Sequence, residues 1–117
     1  IAYAVRSNLE QLEDLVGGPA IDLAVGGGMI QTSTWVHILA NVMGRPLSVS
    51  PTPQASALGA YLCAASALGM FASLQEAANS ARARLTVVEP EPALATQYGD
   101  HYQRWLEVSA MLEQTSL

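Results

Sequence analysis

The sequence predicts an α/β fold in which short, mostly parallel strands are flanked by helices. Several segments repeat apolar residues at helical spacing, short apolar runs of strand length lie between them, and Gly and Pro mark the boundaries. Strands that alternate with helices favour a parallel sheet. The length of 117 residues suits a single domain, residues 1–117.

The first helix is predicted over residues 1–16, where apolar side chains recur every three or four positions between charged ones. Residues 17–19, Gly-Gly-Pro, end it. Residues 21–25 form a short apolar run of the size of a buried strand. Gly26, Gly27 and Gly28 follow this run directly.

A second helix follows the glycines, with Thr32 or Ser33 as its N-terminal cap. Gly44 is placed as its C-terminal cap, and residues 47–49 form the second strand. Four apolar residues are expected to line the inner face of this helix: Trp35, Ile38, Leu39 and Val42.

The second half of the chain is predicted to be mostly helical. A third helix covers residues 54–68, and a fourth begins at the capping-box pair Ser73 and Glu76 and ends near Arg84. Residues 86–88 are a weak strand, residues 89–92 a rigid turn or linker, and residues 94–112 the last helix. Two or three short strands make a thin sheet, and the chain starts at Ile1 rather than Met, so we expect a portion of a longer protein.

Composition excludes some classes of function. The net charge is −5, from ten acidic residues against five arginines, and the chain has no lysine. This balance argues against non-specific nucleic-acid binding, and the missing lysine excludes a P-loop phosphate site. Cys63 is the only cysteine, so the chain forms no internal disulfide and fits a reducing, cytoplasmic compartment.

Residues 46–75 contain no charged side chain. A transmembrane segment is the weaker interpretation, because Ala, Gly and Ser insert poorly and three prolines lie near the start. A close-packed helix is favoured, in which small residues face a neighbour within the chain or in a second subunit, as in a homodimer. These small residues are Ala57, Gly59, Ala60, Ala64 and Ala65. Cys63 is expected to be buried in the same helix.

A strand that leads into glycines and then a helix is a common way to hold a phosphate or nucleotide. Glycine permits positive φ and lets a ligand touch the backbone, and ligands bind off the carboxyl ends of parallel strands. The run Gly26-Gly27-Gly28 is not the Gly-x-Gly-x-x-Gly pattern. By local pattern alone, a plain tight turn is an equally good interpretation.

Several motifs in order resemble the C-terminal domain of the FGGY family of carbohydrate kinases. The glycine run is followed by Trp35, then by residues 38–47 (ILANVMGRPL) and residues 54–60 (QASALGA). Residues 1–9 resemble the helix that precedes the glycine strand in that family. The resemblance covers residues 1 to about 92, and it implies part of a ribonuclease H-like, actin-like ATPase domain.

The resemblance implies a function for the glycine turn as the adenosine element of an ATP site. Gly26, Gly27 and Gly28 would let the backbone lie against the adenosine, and Met29 would contact the purine. Gln31 and Thr32 would place polar groups near the adenine. Trp35 is expected to pack the second helix onto the sheet rather than stack on the nucleotide.

The family comparison also shows departures. Asn41 and Gln54 stand where the family commonly has Asp and Glu, and the spacing after the glycines favours gluconate-type over xylulose-type members. The catalytic Asp, the sugar pocket and most of the Mg²⁺ ligands of the family belong to segments absent from this chain. We therefore assign no catalytic and no metal-binding residue. His37 and His101 are interpreted as surface or packing residues.

The predicted function is ATP-dependent phosphorylation of a hydroxyl of a sugar, polyol or sugar acid. This chain would supply the adenosine-binding part, with ATP as its partner, and would be inactive by itself. The alternatives are a nucleotide-binding, actin-like module without transferase activity and an inactive kinase fragment. A Rossmann-type NAD domain ranks below these, because residues 45–49 lack the acidic residue that such a site requires.

Overall fold

The computed structural model describes residues 1–115 and shows an α/β arrangement of five helices and three strands within that range. The helices are α1 (Ala2–Val16), α2 (Ser33–Met43), α3 (Ala55–Ala67), α4 (Leu74–Arg82) and α5 (Pro92–Thr115). The strands are β1 (Ala24–Val25), β2 (Leu47–Val49) and β3 (Thr86–Val88). A 3-10 turn, Gly28–Gln31, connects β1 to α2.

The sheet is mixed, in the order β1-β2-β3, so the expectation of mostly parallel strands is wrong for β3. β1 and β2 are parallel, with Val25 opposite Val49. β2 and β3 are antiparallel, with Leu47 opposite Val88. One helix connects the parallel pair, whereas the two packed helices α3 and α4 lie between β2 and β3. Because α4 reverses the direction of the chain after α3, β3 enters the sheet from the opposite end and runs antiparallel to β2.

The core lies on α2, which is covered by the sheet and by neighbouring helices. Leu39 and Val42 of the predicted inner face are buried, and Trp35 and Ile38 are half-buried. The prediction missed other buried residues of this helix: Val36, Ala40 and Asn41. The prediction assumed that α2 buries one face only. In the structure α1 and α5 both pack on α2 in addition to the sheet, so more of the helix is buried.

Asn41 is a buried polar residue of α2 that positions the start of α5. Its side chain is 4% exposed, and its Oδ1 accepts a hydrogen bond of 2.7 Å from the Glu91 backbone N–H. The Glu91 carbonyl accepts from Ala95 N–H, which opens the hydrogen-bond ladder of α5. Pro92 is the first residue of α5 rather than part of a linker, a position that suits its fixed φ.

Arg6, Glu10 and Tyr102 connect α1 to both α2 and α5. Arg6 binds Glu10 through Nε at 2.8 Å and donates through Nη1 to the Val42 carbonyl at 2.9 Å. The buried Tyr102 donates its hydroxyl to Glu10 Oε2 at 2.7 Å, and the Arg6 guanidinium lies 4.2 Å from its ring centroid. Burial and the hydrogen bond with Glu10 raise the pKa of Tyr102, so its phenol remains a donor at neutral pH.

Glu13 and Arg45 hold the connection between α1 and β1. Arg45 Nη1 donates to Glu13 Oε1 at 2.7 Å, and the same oxygen accepts the Ala20 N–H at 2.7 Å. Arg45 Nη2 also donates to the Ala20 carbonyl. The hydrogen bond from Arg45, with that from Ala20, lowers the pKa of Glu13. Only Ala24 and Val25 of the expected strand 21–25 are strand residues, and Ile21 is fully exposed.

The small residues of α3 are mostly exposed, so the prediction that they pack against a neighbour within the chain is wrong, and packing in a second subunit stays a prediction. Ala65 is buried, but Ala57, Gly59, Ala60 and Ala64 are exposed. Cys63 is also exposed, not buried as predicted. α3 packs mainly against α4, so only one of its faces is covered within the described residues. Within residues 1–115, no helix combines the length and apolar character that a membrane crossing requires.

The start of α4 confirms the predicted capping pair. Ser73 Oγ accepts the Glu76 backbone N–H at 3.1 Å. The Glu76 carboxylate in turn accepts the backbone N–H of Ala72 at 2.6 Å, one residue earlier than a standard capping box. The cap therefore satisfies two donors at this helix terminus.

Replacing Asn41 by Ala is expected to lower the free energy of unfolding by about 1.5 kcal/mol, because Glu91 N–H loses its acceptor next to a buried site. Urea unfolding of the purified protein measures the effect. Asn41→Asp is the matched control, since it keeps an acceptor oxygen, and it should lose less than half as much. Equal losses in the two variants would contradict a hydrogen-bonding role.

Removing the charge of Glu13 is expected to make stability less dependent on acidic pH. The pKa of Glu13 is lowered in the folded protein, so its contribution is fully present above the ordinary value of 4.5 and is lost as the pH falls through the folded pKa. Glu13→Gln should therefore be less stable than the wild type at pH 7, and the difference should disappear as the pH falls through the folded-state pKa of Glu13. Urea midpoints across this range measure the difference, with Glu107→Gln on the exposed face of α5 as control.

Candidate functional site

The glycine turn lies where two parallel strands end. β1 runs into Gly26, and β2 is held beside it by hydrogen bonds from Ser48 N–H to the Leu23 carbonyl and from Ser50 N–H to the Val25 carbonyl, at 2.8 and 3.0 Å. The carboxyl ends of both strands therefore meet at this edge of the sheet. In open α/β sheets this edge is the usual position of a ligand.

Gly26 is exposed, but a side chain at this position would point towards the connection between β2 and α3. A Cβ added at this position would lie 3.5 Å from Ala55 Cβ and 3.8 Å from Ser50 Cβ, which is ordinary van der Waals contact. Ala55 is the first residue of α3, and Ser50 ends the strand region of β2. The glycine turn is thus backed by the connection between β2 and α3.

Gly27 is required by its backbone conformation. Its φ of 93° and ψ of −178° fall in a region that glycine alone adopts readily. A Cβ at Gly27 would meet no atom within 4 Å, so the constraint is torsional rather than steric. This conformation turns the chain from β1 into the 3-10 turn.

Gly28 differs from Gly27, because nothing in the described residues requires a glycine there. Its φ is not positive, and an added Cβ would meet no atom within 4 Å. The backbone at Gly28 is therefore bare and exposed on the outer side of the turn. A ligand that lies against this backbone would account for the missing side chain.

The 3-10 turn displays three predicted site residues. Ile30 N–H donates to the Gly27 carbonyl and Thr32 N–H to the Met29 carbonyl, both at 3.3 Å. Met29, Gln31 and Thr32 are exposed. Thr32 occupies the N-cap position of α2, but its side chain makes no capping hydrogen bond, contrary to the prediction. The hydroxyl therefore remains available to a ligand.

An apolar cleft of about 360 Å³ lies beside the turn. Gly26, Gly28 and Met29 are at its edge, while Gln31 and Thr32 lie outside its lining. Trp35 forms part of the wall and also packs against the core, as predicted. Val5 of α1 closes the cleft from the other side. Sequence reasoning missed Val5, because no local signal links it to a turn more than twenty positions away.

The connection between β2 and α3 is ordered by its own side chains. Ser50 Oγ donates to the Thr52 carbonyl at 2.9 Å, and Thr52 Oγ1 donates to Gln54 Oε1 at 2.8 Å. Gln54 thus accepts a hydrogen bond at the start of α3. This uncharged network keeps the backing of the glycine turn in one conformation.

Within residues 1–115, no His, Cys, Asp or Glu side chain lines the cleft beside the turn. Residues 1–115 contain no group of three His, Cys, Asp or Glu side chains placed to hold a metal ion. His37 is exposed, with Nδ1 2.8 Å from the Ser33 carbonyl, and His101 is exposed on α5. Asp22 binds the Ser48 hydroxyl and Arg82, at 2.9 and 3.1 Å.

Comparison with known proteins identifies the family of this chain. Residues 1–68 match the model of the FGGY family of carbohydrate kinases, C-terminal domain. The chain belongs to the FGGY family of carbohydrate kinases. This confirms the family that the motifs after the glycine run indicated.

Relatives of this FGGY chain include two curated kinases. It is 29% identical to an autoinducer-2 kinase of Escherichia coli (strain K12) over 107 residues, which cover 92% of the chain and 20% of that kinase. It is 34% identical to a ribulokinase of Mycolicibacterium smegmatis over 108 residues, 92% of the chain and 19% of that protein. The chain therefore spans about a fifth of the length of these relatives.

A solved structure shows the same fold. The FGGY chain matches the crystal structure of xylulose kinase from Rhodospirillum rubrum with a TM-score of 0.73 and 24% sequence identity. The match covers 97% of this chain and 23% of the xylulose kinase chain. The helices and the mixed sheet thus reproduce one segment of a much larger kinase fold.

Gly27→Ala is expected to destabilise the protein by about 2 kcal/mol, since alanine is strained at this φ and ψ. Gly28→Ala is the matched control, because a methyl group there meets open space at an ordinary φ. Urea unfolding compares the two variants. Equal destabilisation would contradict the separate roles assigned to the two glycines.

Proposed function

We propose that this FGGY chain is the adenosine-binding part of an ATP-dependent carbohydrate kinase. The complete enzyme would transfer the γ-phosphoryl group of ATP to a hydroxyl of a sugar, polyol or sugar acid. Membership of the family supports the reaction class. The bare backbone of Gly28, beside an apolar cleft at the ends of two parallel strands, is the observation that supports the nucleotide role.

The residues present fit an adenosine. A flat base needs an apolar surface and a few polar groups at its edge. Met29, 54% exposed at the edge of the cleft, offers the apolar surface. Gly26, Gly27 and Gly28 leave room for the ribose against the backbone. Gln31 and Thr32 offer exposed polar groups for the adenine edge.

The chemistry itself requires groups beyond this chain. Phosphoryl transfer depends on Mg²⁺, which neutralises charge on the phosphates, and on a base for the acceptor hydroxyl. We propose that both, together with the sugar pocket, belong to the rest of the enzyme, because the chain spans about a fifth of its relatives. Residues 1–117 would then be one domain portion on the nucleotide side, inactive alone. We propose a cytoplasmic location for the enzyme, since ATP is supplied there.

The kinase proposal is tested by ATP consumption of the full-length protein that contains this chain. The acceptor panel includes xylulose, ribulose, gluconate, glycerol, erythritol and autoinducer-2. We expect turnover with one acceptor. ATP binding without turnover on any of them would overturn the kinase proposal and favour a nucleotide-binding module.

Gly28→Asp tests the position of the nucleotide. A carboxylate at the turn would obstruct and repel the nucleotide, so we expect KM for ATP to rise at least about tenfold with little change in KM for the sugar. Gly99→Asp, which adds the same charge in open space on α5, is the control. An unchanged KM for ATP in Gly28→Asp would contradict an adenosine at the turn, but it would leave the proposal of a kinase reaction unaffected.

A further inference from the structure

A second cavity lies between α3 and α4. Its volume is about 340 Å³, within the range of small-ligand pockets. Leu58, Tyr61 and Leu62 of α3 line one wall, and Phe71 of the α3–α4 connection contributes another apolar surface. We name this space the α3–α4 cavity. Its size suits a body of one or two rings rather than a whole nucleotide.

The polar lining of the α3–α4 cavity favours an anion. Arg84 follows α4 and lines the cavity, and within residues 1–115 its guanidinium has no hydrogen bond or ion pair. No acidic side chain contributes to the lining. Arg82, two positions earlier, is by contrast paired with Asp22 at 3.1 Å. The cavity thus combines an apolar wall with an uncompensated positive charge.

Two of the three hydroxyl groups in the lining, those of Thr52 and Ser80, are already used as donors. Ser80 Oγ donates to the Ala77 carbonyl at 2.8 Å, and Thr52 Oγ1 donates to Gln54 Oε1 at 2.8 Å. The donors left for a ligand are the guanidinium of Arg84 and the hydroxyl of Tyr61, which is 53% exposed. Two donors at the edge of an apolar cavity match a ligand group that only accepts hydrogen bonds.

We propose that the α3–α4 cavity binds a small anion with a flat apolar body, such as an aromatic carboxylate. The apolar body lies against Leu58, Leu62 and Phe71, and the anionic group pairs with Arg84. A planar guanidinium binds a carboxylate through two parallel hydrogen bonds, and the exposed Arg84 can offer this fork at the mouth of the cavity. The site is separate from the glycine turn and does not depend on the kinase proposal.

The test uses 8-anilinonaphthalene-1-sulfonate, a fluorescent aromatic anion, titrated into the full-length protein. We expect saturable binding of one dye with Kd in the range of roughly tens of micromolar. Arg84→Gln should weaken binding about tenfold, the loss of one charge-assisted contact. Arg104→Gln, which removes an exposed arginine of α5 outside the cavity, should leave it unchanged.

Two further measurements test where the dye binds and whether binding requires a negative charge on the ligand. Ala81→Phe fills the cavity and should abolish binding, with circular dichroism confirming that the variant is folded. 2-Naphthoate should displace the dye at least tenfold better than the neutral 2-naphthamide. The proposal is overturned by an absence of saturable binding, by equal binding in the Arg84 and Arg104 variants, by equal displacement by the two competitors, or by loss of binding in Gly28→Asp.

Discussion

Burial of α2 on several sides is the constraint on which the rest of the structure depends. Val36, Leu39 and Ala40 pack with Leu47 of β2, so the helix holds the sheet. Two hydrogen bonds connect the last turn of α2 to other segments. Arg6 donates to the Val42 carbonyl, and Asn41 Oδ1 accepts the Glu91 N–H. Because α2 follows the 3-10 turn directly, the same packing fixes the conformation of the glycine turn.

Most of the arginines of this chain bind within the structure rather than form a basic surface. Arg6, Arg45 and Arg82 each join segments distant in sequence or stabilise a helix pair. The Arg45–Glu13 pair holds the start of the segment that becomes β1, and Arg82 reaches Asp22 just before that strand. Electrostatic contacts therefore position the entrance to the glycine turn, while the turn itself remains uncharged.

The three glycines serve different purposes although they look equivalent in sequence. Gly26 lies against α3, Gly27 adopts a φ that other residues avoid, and Gly28 leaves its backbone bare. Of the three, only Gly27 is required by the chain's own backbone conformation. Gly28 has open space where a side chain would be, and it lies beside the apolar cleft that the proposed adenosine would use.

The sequence by itself determined the family and the order of helices and strands. It also determined local features such as the left-handed Gly44 and the Ser73 cap, since these depend on residues within one turn. The motif alone was enough to propose a candidate site at Gly26, Gly27, Gly28, Met29, Gln31 and Thr32, but not to find Val5 or the cleft. Tertiary structure decided the antiparallel β3, the burial of Asn41 and the exposure of Cys63. These features depend on which distant segments pack together, and periodicity within a single helix or strand carries no information about its neighbours.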